Sequence, residues 1–224
     1  MCTKNGAKSQ VTRISSEIFF PALWASLSVE RLSKYLTAHE GERSKALRLY
    51  ERNIRVSSAF YPPLQCLEIC LRNQLNNQMS LIWGGDWFAN HVVPIQEDGR
   101  RMIREAIAKI GNNPQTNGAI VAELSLGFWV SLLGPRYDAT LWRSGLHRAF
   151  QTNGRSMKRN DVHGRFNRIR RFRNRVAHHE PIVFMDLSRV HREMMEAIRW
   201  MCPITAEWAE GISTVPQMLE EPTS

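Results

Sequence analysis

Apolar residues recur along this chain at helical spacing, and no run alternates apolar and polar residues as a half-buried strand requires. That pattern restricts the fold to the all-α class. The spacing predicts helices near 17–36, 42–58, 62–82, 95–110, 118–133, 138–151, 161–179 and 186–201, with a weak one near 203–211. Turn chemistry separates the runs at His39-Glu40-Gly41, Pro62-Pro63, Gly84-Gly85-Asp86, Gly111-Asn112-Asn113-Pro114, Gly134-Pro135 and Asn153-Gly154. The segment 120–133 (IVAELSLGFWVSLL) is apolar almost all round and reads as a buried helix, with Phe128 and Trp129 packing rather than presenting a ligand platform. The Met194, Met195, Ile198 and Met201 stripe reads as core or dimer interface.

A chain of 224 residues, 43% hydrophobic, can bury a real core as one domain. The expected organisation is a polar, disordered tail over 1–15, a single domain over 16–212 and a frayed tail over 213–224. No apolar run reaches the length of a membrane span, and the N-terminal residues do not read as a charged-then-apolar leader, so neither a span nor a leader is expected. Four cysteines (Cys2, Cys66, Cys70, Cys202) with no sign of secretion do not form a disulfide framework, so a reduced, cytoplasmic protein is expected.

The net charge is +9, and its placement says more than its size. Between positions 155 and 175 stand nine basic residues (Arg155, Lys158, Arg159, Arg165, Arg168, Arg170, Arg171, Arg173, Arg175) and one acid, Asp161. A local field of this kind attracts a polyanion, foremost nucleic acid; the bland alternative is a solvated basic helix face. Arg165, Arg168, Arg170, Arg171 and Arg175 are the candidate RNA-binding residues.

The same helix ends in Arg173-Asn174-Arg175-Val176-Ala177-His178-His179-Glu180-Pro181, and the proline must stop it. Fixed positive charge for a phosphate and an imidazole that moves a proton near pH 7 are what RNA cleavage requires. At about 100° per residue, Val162, Phe166, Ile169, Phe172, Val176 and Ala177 share an arc of about 140°, the stripe that faces the core. Arg173 falls near the middle of that stripe, where burial would demand an acid, a bound phosphate or a subunit interface. His178 lies about 140° round the helix from Arg173, while Asn174 and His178 share a side. The two would converge only through a distorted last turn, a substrate that spans both, or a second copy across a two-fold axis; the last fits a homodimer with a composite cleft.

An earlier helix carries Glu68 and Arg72 as an i, i+4 pair among Leu64, Leu67, Ile69, Leu71 and Leu75. They form either an ordinary intrahelical ion pair or a support in which Glu68 meets and orients Arg173. Cys66 and Cys70 share a face of this helix and read as core, since two thiols without further ligands make a weak zinc site.

Arg173-Asn174-(x3)-His178 resembles the R-x(4–6)-H signature of the HEPN superfamily. The run RNRVAHHEPI (173–182), together with FWVSLL (128–133), LEICLRN (67–73) and ALRLYERN (46–53), resembles the Abi-like family of bacterial abortive-infection proteins. The resemblance covers roughly residues 28–202. It implies an HEPN-like helical bundle with extra helices and a metal-independent endoribonuclease without cofactors. Arg173, Asn174 and His178 become the expected catalytic residues, with Glu68, Arg72 and His179 in support. Arg173 to His179 and Arg171 to His178 also satisfy the spacing. The implied setting is a cytoplasmic, toxin-like effector of phage defence that acts as a homodimer on RNA, off the membrane, held inactive by an antitoxin of protein or small RNA. The alternatives are a non-catalytic RNA-binding or regulatory module, a protein–protein module built on an Arg173–Glu68 pair, and metal chemistry through His178, His179 and His191. The last is poor because adjacent histidines point to different sides of a helix.

Overall fold

The computed structural model describes residues 16–111, 116–152 and 154–221. The described chain is all-α apart from one short hairpin. The expected tail over 1–15 lies outside the described residues. The described residues cluster into two compact units that divide between Arg52 and Asn53, inside α3 (Arg43–Ala59).

The first unit holds α1 (Ser16–Leu27), α2 (Val29–Ala38) and the opening turns of α3. The one helix expected near 17–36 is broken at Ser28, whose hydroxyl accepts the Arg31 N–H and caps α2. Leu32, Tyr35 and Ala46 are buried, Tyr35 meets Tyr50 edge to face, and the Arg43 guanidinium lies 5.8 Å from the Trp24 ring centre.

The second unit is organised on α4 (Tyr61–Trp83), which opens with Pro62 and Pro63 in its first turn. It continues through α5 (Glu97–Ile110), α6 (Asn117–Glu123), α7 (Leu126–Ser131), α8 (Arg159–Ala177), α9 (Leu187–Met201), α10 (Pro203–Ile212) and α11 (Val215–Glu220). Leu67, Leu71 and Leu75 of α4 are fully buried and share one core with Phe166 and Phe172 of α8 and Met194 and Ile198 of α9. Phe60 meets Phe172 edge to face at 4.7 Å. Phe128 and Trp129 are fully buried against Trp87, so they pack as expected. Cys66 and Cys70 are buried free thiols.

Three expectations need correction. The helix expected over 118–133 is two helices, because the Ser125 hydroxyl caps Phe128 N–H and restarts the chain. The helix expected over 138–151 is a π-helical turn (Asp138–Trp142) and a 3-10 turn (Leu146–Ala149), followed by a hairpin of β1 (Gln151–Thr152) and β2 (Arg155–Ser156). A Cβ at Gly145 would press on the end of the Ile82 side chain of α4, which would have to shift. The tail expected to fray from 213 is helical over Val215–Glu220 and anchored by buried Ser213 and Val215. The local sequence hides that anchor, since Ser213 is held by His191, whose Nε2 lies 2.9 Å from its hydroxyl. No described helix is long and apolar enough to cross a membrane.

Candidate active site

The motif helix α8 closes in a paired-bond cap. The Glu180 N–H reaches the Arg175 carbonyl at 2.8 Å and the His179 N–H reaches Val176 at 3.1 Å, a Schellman arrangement. The His178 N–H still bonds the Asn174 carbonyl at 2.9 Å. The residue that must turn left-handed is His179, with φ 57°, where glycine is the usual occupant. A side chain there costs about 1 kcal/mol. Pro181 then prevents any return to helix. Both His178 and His179 are exposed on this cap.

The loop that follows is pinned from α3 by Asn53, which is 3% exposed. Its Oδ1 accepts the Ile182 N–H at 2.7 Å and the Val183 N–H at 3.2 Å, and its Nδ2 donates to the Glu180 carbonyl. One buried amide thus fixes the chain just past the histidines. Sequence reading gave Asn53 no role because its partners lie far along the chain. The only signal was a polar residue at a buried helix position.

Between α4 and α8 lies an open groove of about 480 Å³, lined by Tyr61, Glu68, Arg72 and Arg173 over Leu64 and Val176. Arg173 Nε stands 3.7 Å from Glu68 Oε2. The guanidinium is not buried as its place on the stripe implied: its side chain is 42% exposed. The reason is that the buried stripe of α8 ends at Phe172, with Val176 half-buried and Ala177 exposed, so nothing roofs Arg173. Nor do Glu68 and Arg72 form the intrahelical pair; Glu68 turns to Arg173 instead. Arg72 is left with a buried Nε that has no acceptor among the described residues. Two guanidinium groups against one carboxylate make this groove receptive to an anion.

The other arginines of α8 are spread round the helix, and several are spent within the fold. Arg165 donates to the Glu193 carbonyl at 3.0 Å and to Glu196 Oε2 at 2.7 Å, with its guanidinium 4.7 Å from the Trp200 ring centre. Arg168 bonds Glu193 at 3.2 Å, Arg170 bonds Asn167, and Arg175 lies 3.2 Å from Glu180. Arg171 is exposed and has no partner among the described residues. Of the five arginines expected to bind RNA, Arg165 ties α8 to α9. Glu193 and Glu196 lie one turn apart on α9 and present their carboxylates to α8. Burial alone would raise the Glu193 carboxyl, but hydrogen bonds from Arg189 and Arg168 and the charge of Arg165 outweigh it and hold it below its usual range.

The chain brings Glu68, Arg72 and Arg173 together and keeps His178 apart from them. Asn174 is half-buried, and its side chain makes no hydrogen bond to a described residue. His191 of α9 is engaged with Ser213, between α10 and α11, and no group of three potential metal ligands occurs among the described residues. No family model, curated protein or solved structure matches the chain.

Proposed function

We propose that this protein is a metal-independent endoribonuclease that uses the 2′-hydroxyl of its RNA as nucleophile. The observation that carries the reading is the α4–α8 groove, where Arg72 and Arg173 flank a single carboxylate and Arg72 keeps a buried N–H without an acceptor. A phosphate supplies that acceptor and matches the planar fork of a guanidinium.

In the reaction, the 2′-oxygen attacks phosphorus and gives up its proton to a base. The bond from phosphorus to the 5′-oxygen breaks, and that oxygen takes a proton from an acid. His178, exposed on the α8 cap, fills one of these roles. Arg173 stabilises the charge that grows on the phosphorane oxygens, with Asn174 as its polar neighbour. Glu68 orients Arg173, and His179 stands next to the acid–base group. Because Arg173 and His178 occupy different sides of α8, the site is completed by a second copy of the chain or by a strand that wraps the helix end. The resemblance to abortive-infection proteins supports, by analogy, a cytoplasmic, toxin-like defence role with a protein or RNA antitoxin.

RNA cleavage in EDTA tests the reading. Wild type is expected to cut, and Arg173→Ala and His178→Ala are each expected to lose about 10²–10⁴ in rate. A mixture of the two inactive variants recovers activity if the site is composite, because one mixed dimer then holds an intact pair. Undiminished cutting by His178→Ala overturns the assignment. The separation of His178 from the groove also favours a second reading, a non-catalytic RNA-binding module; RNA binding without cleavage by wild type supports that one.

A further inference from the structure

A second groove, of about 420 Å³, runs along α8 on the side away from Arg173, between α8 and α9. Its rim is Arg168, Arg171, Arg175 and Arg189, and its floor is Ile169, Phe172, Met185 and Val190. The two acids in the lining are already engaged. Asp186 caps α9 by accepting the Arg189 N–H, and Glu193 is shared by Arg165, Arg168 and Arg189. That leaves Arg171, which has no partner among the described residues, and beside it Arg175, which is ion-paired with Glu180 at 3.2 Å but whose buried Nε makes no well-aligned hydrogen bond. Cationic rim and apolar floor together differ from a plain phosphate patch.

Helical register connects this groove to the histidine cap. Arg171, Arg175 and His178 fall within about 60° of one another, whereas Arg173 is about 140° away from His178. A strand whose phosphate sits in the α4–α8 groove would therefore cross the end of α8, pass the histidines, and enter the α8–α9 groove.

We propose that the α8–α9 groove holds one nucleotide of a single-stranded RNA, next to the scissile phosphate. The base lies on Ile169, Met185 and Val190, and its phosphate meets Arg171 and Arg175. Its volume lies in the range of about 300–1,000 Å³ typical of small-ligand sites. A duplex does not fit this use, since its bases are stacked inside and only its backbone and groove edges are offered. Single strands combine a cationic groove with apolar contact to the base. This inference rests on the ribonuclease reading and assigns the part of the substrate that the first groove cannot hold.

The test is fluorescence anisotropy of full-length protein with a labelled, unstructured 2′-O-methyl RNA, which cannot be cleaved by attack of its own 2′-oxygen. Arg171→Ala and Val190→Trp are each expected to weaken binding about tenfold. Arg171→Ala should also lower the salt slope by about one, whereas Val190→Trp, which only fills the floor, should leave the slope unchanged. Met185→Trp serves as the second floor-filling variant, and each is used only if its melting temperature matches wild type. Wild-type affinity in Arg171→Ala and both floor variants, with binding lost in Arg173→Ala, overturns this inference and leaves the ribonuclease reading standing. Loss in Arg171→Ala alone reduces the groove to a charged rim and also overturns it. Full displacement of the strand by adenosine monophosphate at equal concentration marks a mononucleotide site and overturns it as well. Failure of wild type to bind any RNA removes both readings.

Discussion

His179 is the residue at which local energy and position disagree most. It sits at φ 57° in the cap of α8, a conformation that suits glycine. His179→Gly is expected to raise stability by about 0.5–1 kcal/mol, read in urea unfolding, because it removes the left-handed penalty at some cost in backbone entropy. A loss of cleavage in the same variant would show that the imidazole is kept for chemistry; a variant less stable than wild type would refute the strain argument. His191 offers a second residue-scale test. Burial holds its imidazole below its usual value, and Glu210 opposes this only partly. The folded chain thus keeps a neutral ring that the unfolded chain protonates below about pH 6.5. Its contribution to stability is present above that pH and is lost as pH falls towards the depressed folded value. The fall in melting temperature between pH 7.5 and 5.5 should be smaller in His191→Gln than in wild type, and an equal fall in both would contradict it.

The cap and loop that present the histidines depend on an element distant in sequence. Asn53 of α3 satisfies two N–H groups and one carbonyl of the loop that follows the cap. Asn53→Ala leaves those donors unpaired and is expected to cost about 2–3 kcal/mol, with faster amide exchange at Ile182 and Val183. Unchanged exchange there would show that the loop holds itself. Helix identity was legible along most of the chain because apolar spacing and proline placement are local signals. The breaks at Ser28 and Ser125 were not, since a serine that caps a helix looks like any serine until its hydroxyl meets a backbone N–H. The same limit hid Ser213, which is held by His191, and made the stretch from 213 onward read as a tail.

In the second unit, charge is sorted by the two sides of α8. One side offers Arg173, facing Glu68 and Arg72 of α4; elsewhere on the helix Arg165 and Arg168 are matched by Glu193 and Glu196 of α9, while Arg171 has no partner among the described residues. Composition alone recorded nine basic residues between 155 and 175 and could not say which were already paired. Arg173 was legible as exceptional from its angle on the helix. Its exposure was not, because the stripe stops at Phe172 only through the way α4 and α8 separate. The account of the whole molecule rests on one chemical claim, that RNA is cut here by its own 2′-oxygen without a metal. The most direct measurement is the end chemistry of RNA incubated with wild type and with His178→Ala in EDTA. The account requires 2′,3′-cyclic phosphate and 5′-hydroxyl ends from wild type and almost none from His178→Ala. Fragments bearing 5′-phosphate, or cleavage that appears only when a divalent metal is restored, would contradict it.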